Sequence, residues 1–236
     1  GLASLLALKT ATSLIRDHRA DAMVTAPICK EHVHLAGLKF PGHTEFLCHE
    51  FKVKKFAMMF CAPQFRVVLS TIHVPHRDVP KLLTTDLVFD KLMLTAQALQ
   101  SLFKIKHPRI AVCGLNPHAG ENGLFGDEEA RVILPAMKKF AHTKLGRTTT
   151  LVGPLPVDSV FVDVSQNKFD AILCHTHDQA LIPLKLLARD KAVNMTLGLP
   201  FVRTSPAHGT AFDIAGKNKA NPQSMIEAIK LATRLT

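Results

Sequence analysis

The chain has 236 residues, 29 Lys plus Arg against 19 Asp plus Glu, and a formal charge of +10, with 47% hydrophobic and 20% charged residues. That composition excludes a disordered or collagen-like protein, and the length is enough to bury a core without disulfide or metal staples. Five widely spaced cysteines without a C-x-x-C pair read as reduced thiols of a cytoplasmic protein, and no apolar run reaches the roughly 18 residues that span a bilayer.

Leu5, Leu8, Ala11 and Ile15 recur at near-helical spacing, and residues 21–27 supply a short apolar run stopped by Pro27, so the chain opens as helix then strand. Residues 56–62 and 65–71 are two apolar runs separated by Pro63-Gln64 and suit a hairpin. A helix with Leu92, Ala96, Leu99 and Phe103 on one face follows. Residues 109–113 then read as a strand, 128–140 as a helix and 171–174 as a buried strand. After a strand over 192–197 the chain passes Pro200 and Pro206 to a last helix, with Asn221 as N-cap and Pro222 at its first position. The alternation is that of an α/β protein.

The charge of +10 fits nucleic acid or an anionic small substrate. There are 14 Phe but no Trp or Tyr, and no Phe alternates with Lys or Arg as a stacking platform requires, which disfavours nucleic acid. Among 13 histidines, three share a position: His73, His118 and His177 each follow an expected strand. Any lone histidine is more often a surface or hydrogen-bonded residue than a ligand. Three at the carboxyl ends of strands in an open α/β sheet, where ligands collect, can together hold a divalent ion and leave coordination positions open. Residues 114–126 hold four glycines, yet match neither G-x-G-x-x-G nor a P-loop. Lys185, Asn194 and Arg203, which interrupt apolar stretches, and the His43-Thr44 pair would jointly suit a phosphate or carboxylate.

Seven ordered segments carry a resemblance: 24–30 (VTAPICK), 42–46 (GHTEF), 114–121 (GLNPHAGE), 153–156 (GPLP) with Asp158, 177–179 (HDQ), 194–200 (NMTLGLP), and 203–205 (RTS) with 208–210 (HGT). In order and approximate spacing, and over essentially the whole chain, they resemble the 4-hydroxythreonine-4-phosphate dehydrogenase family of pyridoxal phosphate biosynthesis. The resemblance implies two α/β/α lobes with a cleft, similar to isocitrate and isopropylmalate dehydrogenases. The lobes expected are 1–30 with 187–236, and 31–186. It implies a homodimer whose metal site is completed between partners, NAD or NADP as cofactor, and a divalent ion such as Zn, Co or Mg. By motif, the metal ligands fall on His73, His118 and His177, and the substrate contacts on His43, Thr44, Lys185, Asn194 and Arg203. Asp158 and Asp178 match acidic residues beside the metal, as partners of its ligands or proton acceptors.

The implied reaction oxidises 4-phosphooxy-L-threonine to a 2-amino-3-oxo acid that decarboxylates to 3-amino-2-oxopropyl phosphate. Phospho-D-threonine and phospho-erythronate are the alternative substrates, and a basic nucleic-acid-binding protein the distant one. Two departures stand out. The family's opening strand and glycine- and proline-rich turn are not seen ahead of Leu2, which suggests a partial chain, and Ala180 stands where the family usually has Gly. His175, beside His177, is also unusual.

Overall fold

The computed structural model describes residues 1–162 and 167–236. In chain order its regular elements are α1 (Leu2–Arg16), β1 (Ala22–Val24), α2 (Lys30–Leu35), α3 (His43–Glu50), β2 (Ala57–Cys61), β3 (Arg66–Leu69), α4 (Val79–Leu82), α5 (Thr85–Ser101), β4 (Arg109–Cys113), α6 (Leu134–Ala141), β5 (Thr150–Leu155), α7 (Val157–Val160), β6 (Ala171–Cys174), α8 (His177–Ala188), β7 (Val193–Leu197), β8 (Val202–Pro206) and α9 (Gln223–Leu235). A π-helical turn, Glu129–Ile133, leads into α6. The elements form two compact units, residues 1–56 with 190–236, and residues 57–189.

In the first unit β8 lies between β1 and β7, parallel to β1 and antiparallel to β7. The apolar stripe of α1, Leu5, Leu8 and Ile15, packs with Met23, Val33, Leu38, Phe46 and Leu47 in one buried cluster. Residues 31–56 thus share the core of α1, and the division falls after residue 56, where the sequence reading places it after residue 30. Each fully buried aliphatic side chain contributes roughly 1.5–3 kcal/mol, so this shared core ties α2 and α3 to the first unit. Helix α9 is docked by hydrogen bonds from Thr204 Oγ1 to the Ala228 carbonyl (2.8 Å) and from Ser224 Oγ to the Ala192 carbonyl (3.2 Å). Its first helical residue is Gln223, one later than expected, and Asn221 Oδ1 accepts from Gln223 N at 2.9 Å.

In the second unit the strand order is β2-β3-β6-β4-β5. The expected hairpin is present: β2 and β3 are antiparallel, with Cys61 opposite Arg66 at the turn. The other three pairings, β3·β6, β6·β4 and β4·β5, are parallel. Val67, Val68 and Leu69 on β3, Ile110, Ala111 and Val112 on β4, and Leu173 on β6 have no exposed surface. Strands covered on both faces read as unbroken apolar runs, which is why β4 and β6 are visible in the sequence to the residue. Because β3, β6 and β4 are parallel neighbours, their carboxyl ends share one edge of the sheet.

Candidate functional site

The segments that leave this edge carry the three strand-end histidines. His177 is the first residue of α8, whose start is set by a capping box: Thr176 Oγ1 accepts from Gln179 N and Gln179 Oε1 accepts from Thr176 N, both at 3.2 Å. The His73 and His177 rings lie 5.7 Å apart between centroids. His177 Nδ1 donates to Asp178 Oδ1 at 2.8 Å, and Asp178 Oδ2 lies 3.3 Å from His76 Nε2. These hydrogen bonds, from His177 first and His76 second, hold the Asp178 carboxyl below the usual carboxylate range. They also set the tautomer of His177, leaving Nε2 as a lone-pair donor directed away from Asp178.

His118 does not join this pair. It sits in an exposed loop with its ring 6.1 Å from Phe125, and among the described residues no group of three His, Cys, Asp or Glu is close enough to hold a metal ion. Two adjacent imidazoles, one already oriented by a carboxylate, fit as two nitrogens of a divalent centre that draws its remaining ligands from elsewhere. Asp158 is exposed on α7, and its Oδ1 accepts from Ser159 N at 3.0 Å, a local turn contact.

The His118 loop has an unusual backbone. Five consecutive residues, His118, Ala119, Gly120, Glu121 and Asn122, have φ of 51°, 52°, 82°, 41° and 54°. For a non-glycine residue the left-handed region is unfavourable by roughly 1–2 kcal/mol, so the turn needs an anchor. That anchor is Glu129, 5% exposed, in the π-helical turn. Its Oε1 accepts from Leu115 N (2.7 Å) and Asn116 N (2.8 Å), and its Oε2 from Asn116 Nδ2 (3.0 Å). Burial works against the Glu129 charge, but the bonds from Asn116 and Leu115 prevail and its pKa is lowered. The stabilisation is therefore present above the unfolded carboxylate pKa of about 4.3 and is lost as pH falls through the lower folded value. Glu129→Gln is expected to lower stability at neutral pH by about 2 kcal/mol and to flatten the acid limb of stability against pH, measured by urea unfolding. An unchanged acid limb would remove Glu129 as the anchor.

In the first unit, Arg203 on β8 is only 3% exposed. Among the described residues its hydrogen-bond partners are neutral hydroxyls: NH2 donates to Thr25 Oγ1 at 2.7 Å, and NH1 to Thr196 Oγ1 at 3.0 Å and Thr44 Oγ1 at 3.4 Å. Among the described residues its Nε has no hydrogen-bond partner, nor does the buried Asn194 Oδ1 on neighbouring β7. Burial lowers the Arg203 pKa to about 10, against the raising effects of Glu45 and Cys48. His43, at the start of α3, is pushed down to about 4 by burial and then by Arg203, so it is neutral at pH 7. The amino end of α3, with its free backbone N–H groups, and the guanidinium meet at Thr44. A buried cation surrounded by hydroxyls, a helix amino end and a neutral imidazole is a site for an oxyanion.

The structure therefore gathers His43, Thr44 and Arg203 in one unit, with Asn194 on the strand beside Arg203, and pairs His73 with His177 in the other. Lys185 lies on the exposed side of α8, about two turns beyond His177. The sequence gives no role to Thr25 and Thr196, although both lie in the quoted 24–30 and 194–200 segments, and no sign of Glu129. It also left unassigned a cavity of about 510 Å³ in the first unit, lined by Pro27, Cys29, His32, His208, Gly209 and Phe212 among others. The 24–30 and 208–210 motifs, which both border it, are the signals the sequence offers.

Comparison with known proteins gives a consistent result. The family model for "Pyridoxal phosphate biosynthetic protein PdxA" matches residues 1–232. A 4-hydroxythreonine-4-phosphate dehydrogenase of Bradyrhizobium diazoefficiens is 47% identical over 237 residues, covering 99% of this chain and 68% of the relative. The crystal structure of a 4-hydroxythreonine-4-phosphate dehydrogenase from Klebsiella pneumoniae superposes with a TM-score of 0.87 at 41% identity, over 97% of this chain and 67% of that one. A terephthalate 1,2-cis-dihydrodiol dehydrogenase from Burkholderia xenovorans gives 0.73 at 29% identity, over 98% and 72%. The chain thus spans about two thirds of the length of these relatives.

The relatives place the chain among the oxidoreductases, and its mixed α/β fold is built like isocitrate and isopropylmalate dehydrogenases. Within that class the pattern of relatives is specific. The chain belongs to the PdxA family, the 4-hydroxythreonine-4-phosphate dehydrogenases of pyridoxal phosphate biosynthesis.

Proposed function

We propose that this chain carries the NAD- and metal-dependent oxidation of 4-phosphooxy-L-threonine to a 2-amino-3-oxo acid, which decarboxylates to 3-amino-2-oxopropyl phosphate. The observation that carries the reading is Arg203, a buried guanidinium among neutral hydroxyls with Nε unpartnered. Glu45 acts on the guanidinium without a hydrogen bond, and a phosphate supplies the directly bonded anion that it lacks among the described residues. Arg203 holds it with charge-assisted bonds, Thr44 and the amino end of α3 donate to its oxygens, and neutral His43 and Asn194 fix its orientation. Lys185 is the further cation assigned to the substrate, and Asp158 a proton acceptor.

His73 and His177 would hold a divalent ion, with His118 as the third ligand of a centre completed in a homodimer. When bound, the ion acidifies the substrate hydroxyl and stabilises the negative charge of decarboxylation, and nicotinamide accepts the hydride. Asp178 keeps His177 in the tautomer that presents Nε2. Exposed apolar side chains in the second unit, Leu124 and Phe125 beside His118 and Leu186 and Leu187 on α8, favour a partner copy there. The first-unit cavity, bordered by the first turn of α1 and the 208–210 segment, is of a size for a dinucleotide. Five cysteines that form no disulfide among the described residues favour a cytoplasmic location. Among the described residues no helix is long and apolar enough to cross a membrane.

The test follows NADH absorbance with 4-phosphooxy-L-threonine, phospho-D-threonine and phospho-erythronate, with and without chelator. Fastest turnover with the first, lost on chelation and restored by divalent ions, is the expected result. No reduction of NAD with any of the three overturns the reading.

A further inference from the structure

His175 has no exposed surface, and its two ring nitrogens tie together the strand ends from which the three candidate ligands depart. Nε2 lies 2.8 Å from the carbonyl of Cys113, the last residue of β4, and so donates to it. That leaves Nδ1 as the acceptor for Ser70 Oγ, 3.0 Å away and one residue past β3. The backbone of His175 joins in: its carbonyl accepts from Thr71 Oγ1 at 2.6 Å and its N–H donates to Gln179 Oε1 at 2.9 Å. Gln179 Nε2 in turn donates to the Gly114 carbonyl at 3.0 Å. His73 follows Ser70 by three residues, His118 follows Cys113 by five, and His177 follows His175 by two. One imidazole therefore spans all three departures, and its donor and acceptor roles are both specified.

We propose that His175 is a positioning residue whose imidazole, bridging Ser70 and the Cys113 carbonyl, sets the placement of His73 and His177 for a divalent ion. The inference rests on the metal reading above and adds the device that holds the ligands in register. An apolar side chain of similar reach can fill the space but cannot bridge a hydroxyl and a carbonyl. It leaves the buried Cys113 carbonyl without its donor, and the two strand ends become independently mobile. Groups hydrogen-bonded directly to metal ligands change affinity by about 10–100-fold, and His175 acts one step further out, through the strand ends that carry the ligands, so the lower end of that range applies.

The test uses the full-length enzyme loaded with Co(II), whose visible d–d absorption reports ligand geometry. His175→Leu is expected to weaken Co(II) binding by about tenfold or more and to alter that spectrum, and to lower kcat with KM for the phosphorylated substrate within about twofold. His175→Gln, which keeps a donor toward Cys113, is expected to recover part of the affinity, and Ser70→Ala to lose part of it. A His175→Leu protein that is folded and binds Co(II) with wild-type affinity and spectrum overturns the proposal. Should that variant fail to fold, wild-type binding by both His175→Gln and Ser70→Ala overturns it equally. A wild-type enzyme that takes up no Co(II) overturns the metal reading itself, and the clamp with it.

Discussion

Arg203→Met raises KM for the phosphorylated substrate by roughly 100-fold or more and leaves the melting temperature of the ligand-free protein within a few degrees of wild type. Both halves follow from the same burial. With substrate present, the guanidinium is the buried charge that meets the phosphate, and its removal deletes charge-assisted bonds that no neighbour replaces. Without substrate, the charge is a burden. Burial lowers its pKa from the ordinary arginine value to about 10, a penalty of about 3 kcal/mol at neutral pH. Three hydrogen bonds to threonine hydroxyls, at about 1 kcal/mol each, offset it. Exchange for an apolar side chain therefore changes the stability of the free protein little.

The sign with pH is specific. Because the folded pKa is depressed, the penalty is complete below pH of about 10 and declines as pH rises from there toward the ordinary arginine value, so this component of stability increases over that window. Inorganic phosphate should raise the melting temperature of the wild type and not of Arg203→Met, read by thermal shift. A variant that still responds to phosphate removes Arg203 from the anion site.

His177→Ala is expected to lower kcat by about three orders of magnitude, and chelation of the wild type to do the same reversibly. The substitution removes one of two adjacent imidazoles and leaves Asp178 bonded only to His76. Asp178→Asn should lower metal affinity by only about 10–100-fold, because the ligand stays and only its orientation loosens. Metal content measured by plasma emission and turnover should fall together in His177→Ala. Full turnover without bound metal would refute the assignment of His177.

How far the sequence reaches into this molecule depends on what each segment buries. Strands β4 and β6 are covered on both faces by apolar neighbours, so their runs are readable to the residue, and the β2–β3 hairpin follows from its Pro63-Gln64 break. Strand β8 is not readable, because Arg203, Thr204 and Ser205 are buried polar residues, Arg203 bonded to threonine hydroxyls and Thr204 to the Ala228 carbonyl, and Pro200 before the strand and Pro206 at its end suggest irregular chain. For the same reason α3 reads as a polar insertion: His43 and Thr44 form its first turn and face Arg203 rather than water. The strand-end position of the three histidines comes through, since parallel neighbours must end on one edge. Their mutual distance does not, and the structure pairs His73 with His177 while His118 stands apart. Glu129 was hidden altogether, as a carboxylate in an amphipathic helical stretch gives no sign that it receives two backbone N–H groups.

The left-handed turn at 118–122 restricts what variation the loop can accept. Ala119, Glu121 and Asn122 sit where a branched β-carbon clashes with its own backbone, so glycine, asparagine and aspartate are the tolerated replacements and valine, isoleucine or threonine are not. A library randomised over these positions would return mostly small and amide side chains whatever activity is selected. Changes in preferred substrate through this loop must therefore arise from its length or from residues flanking the turn.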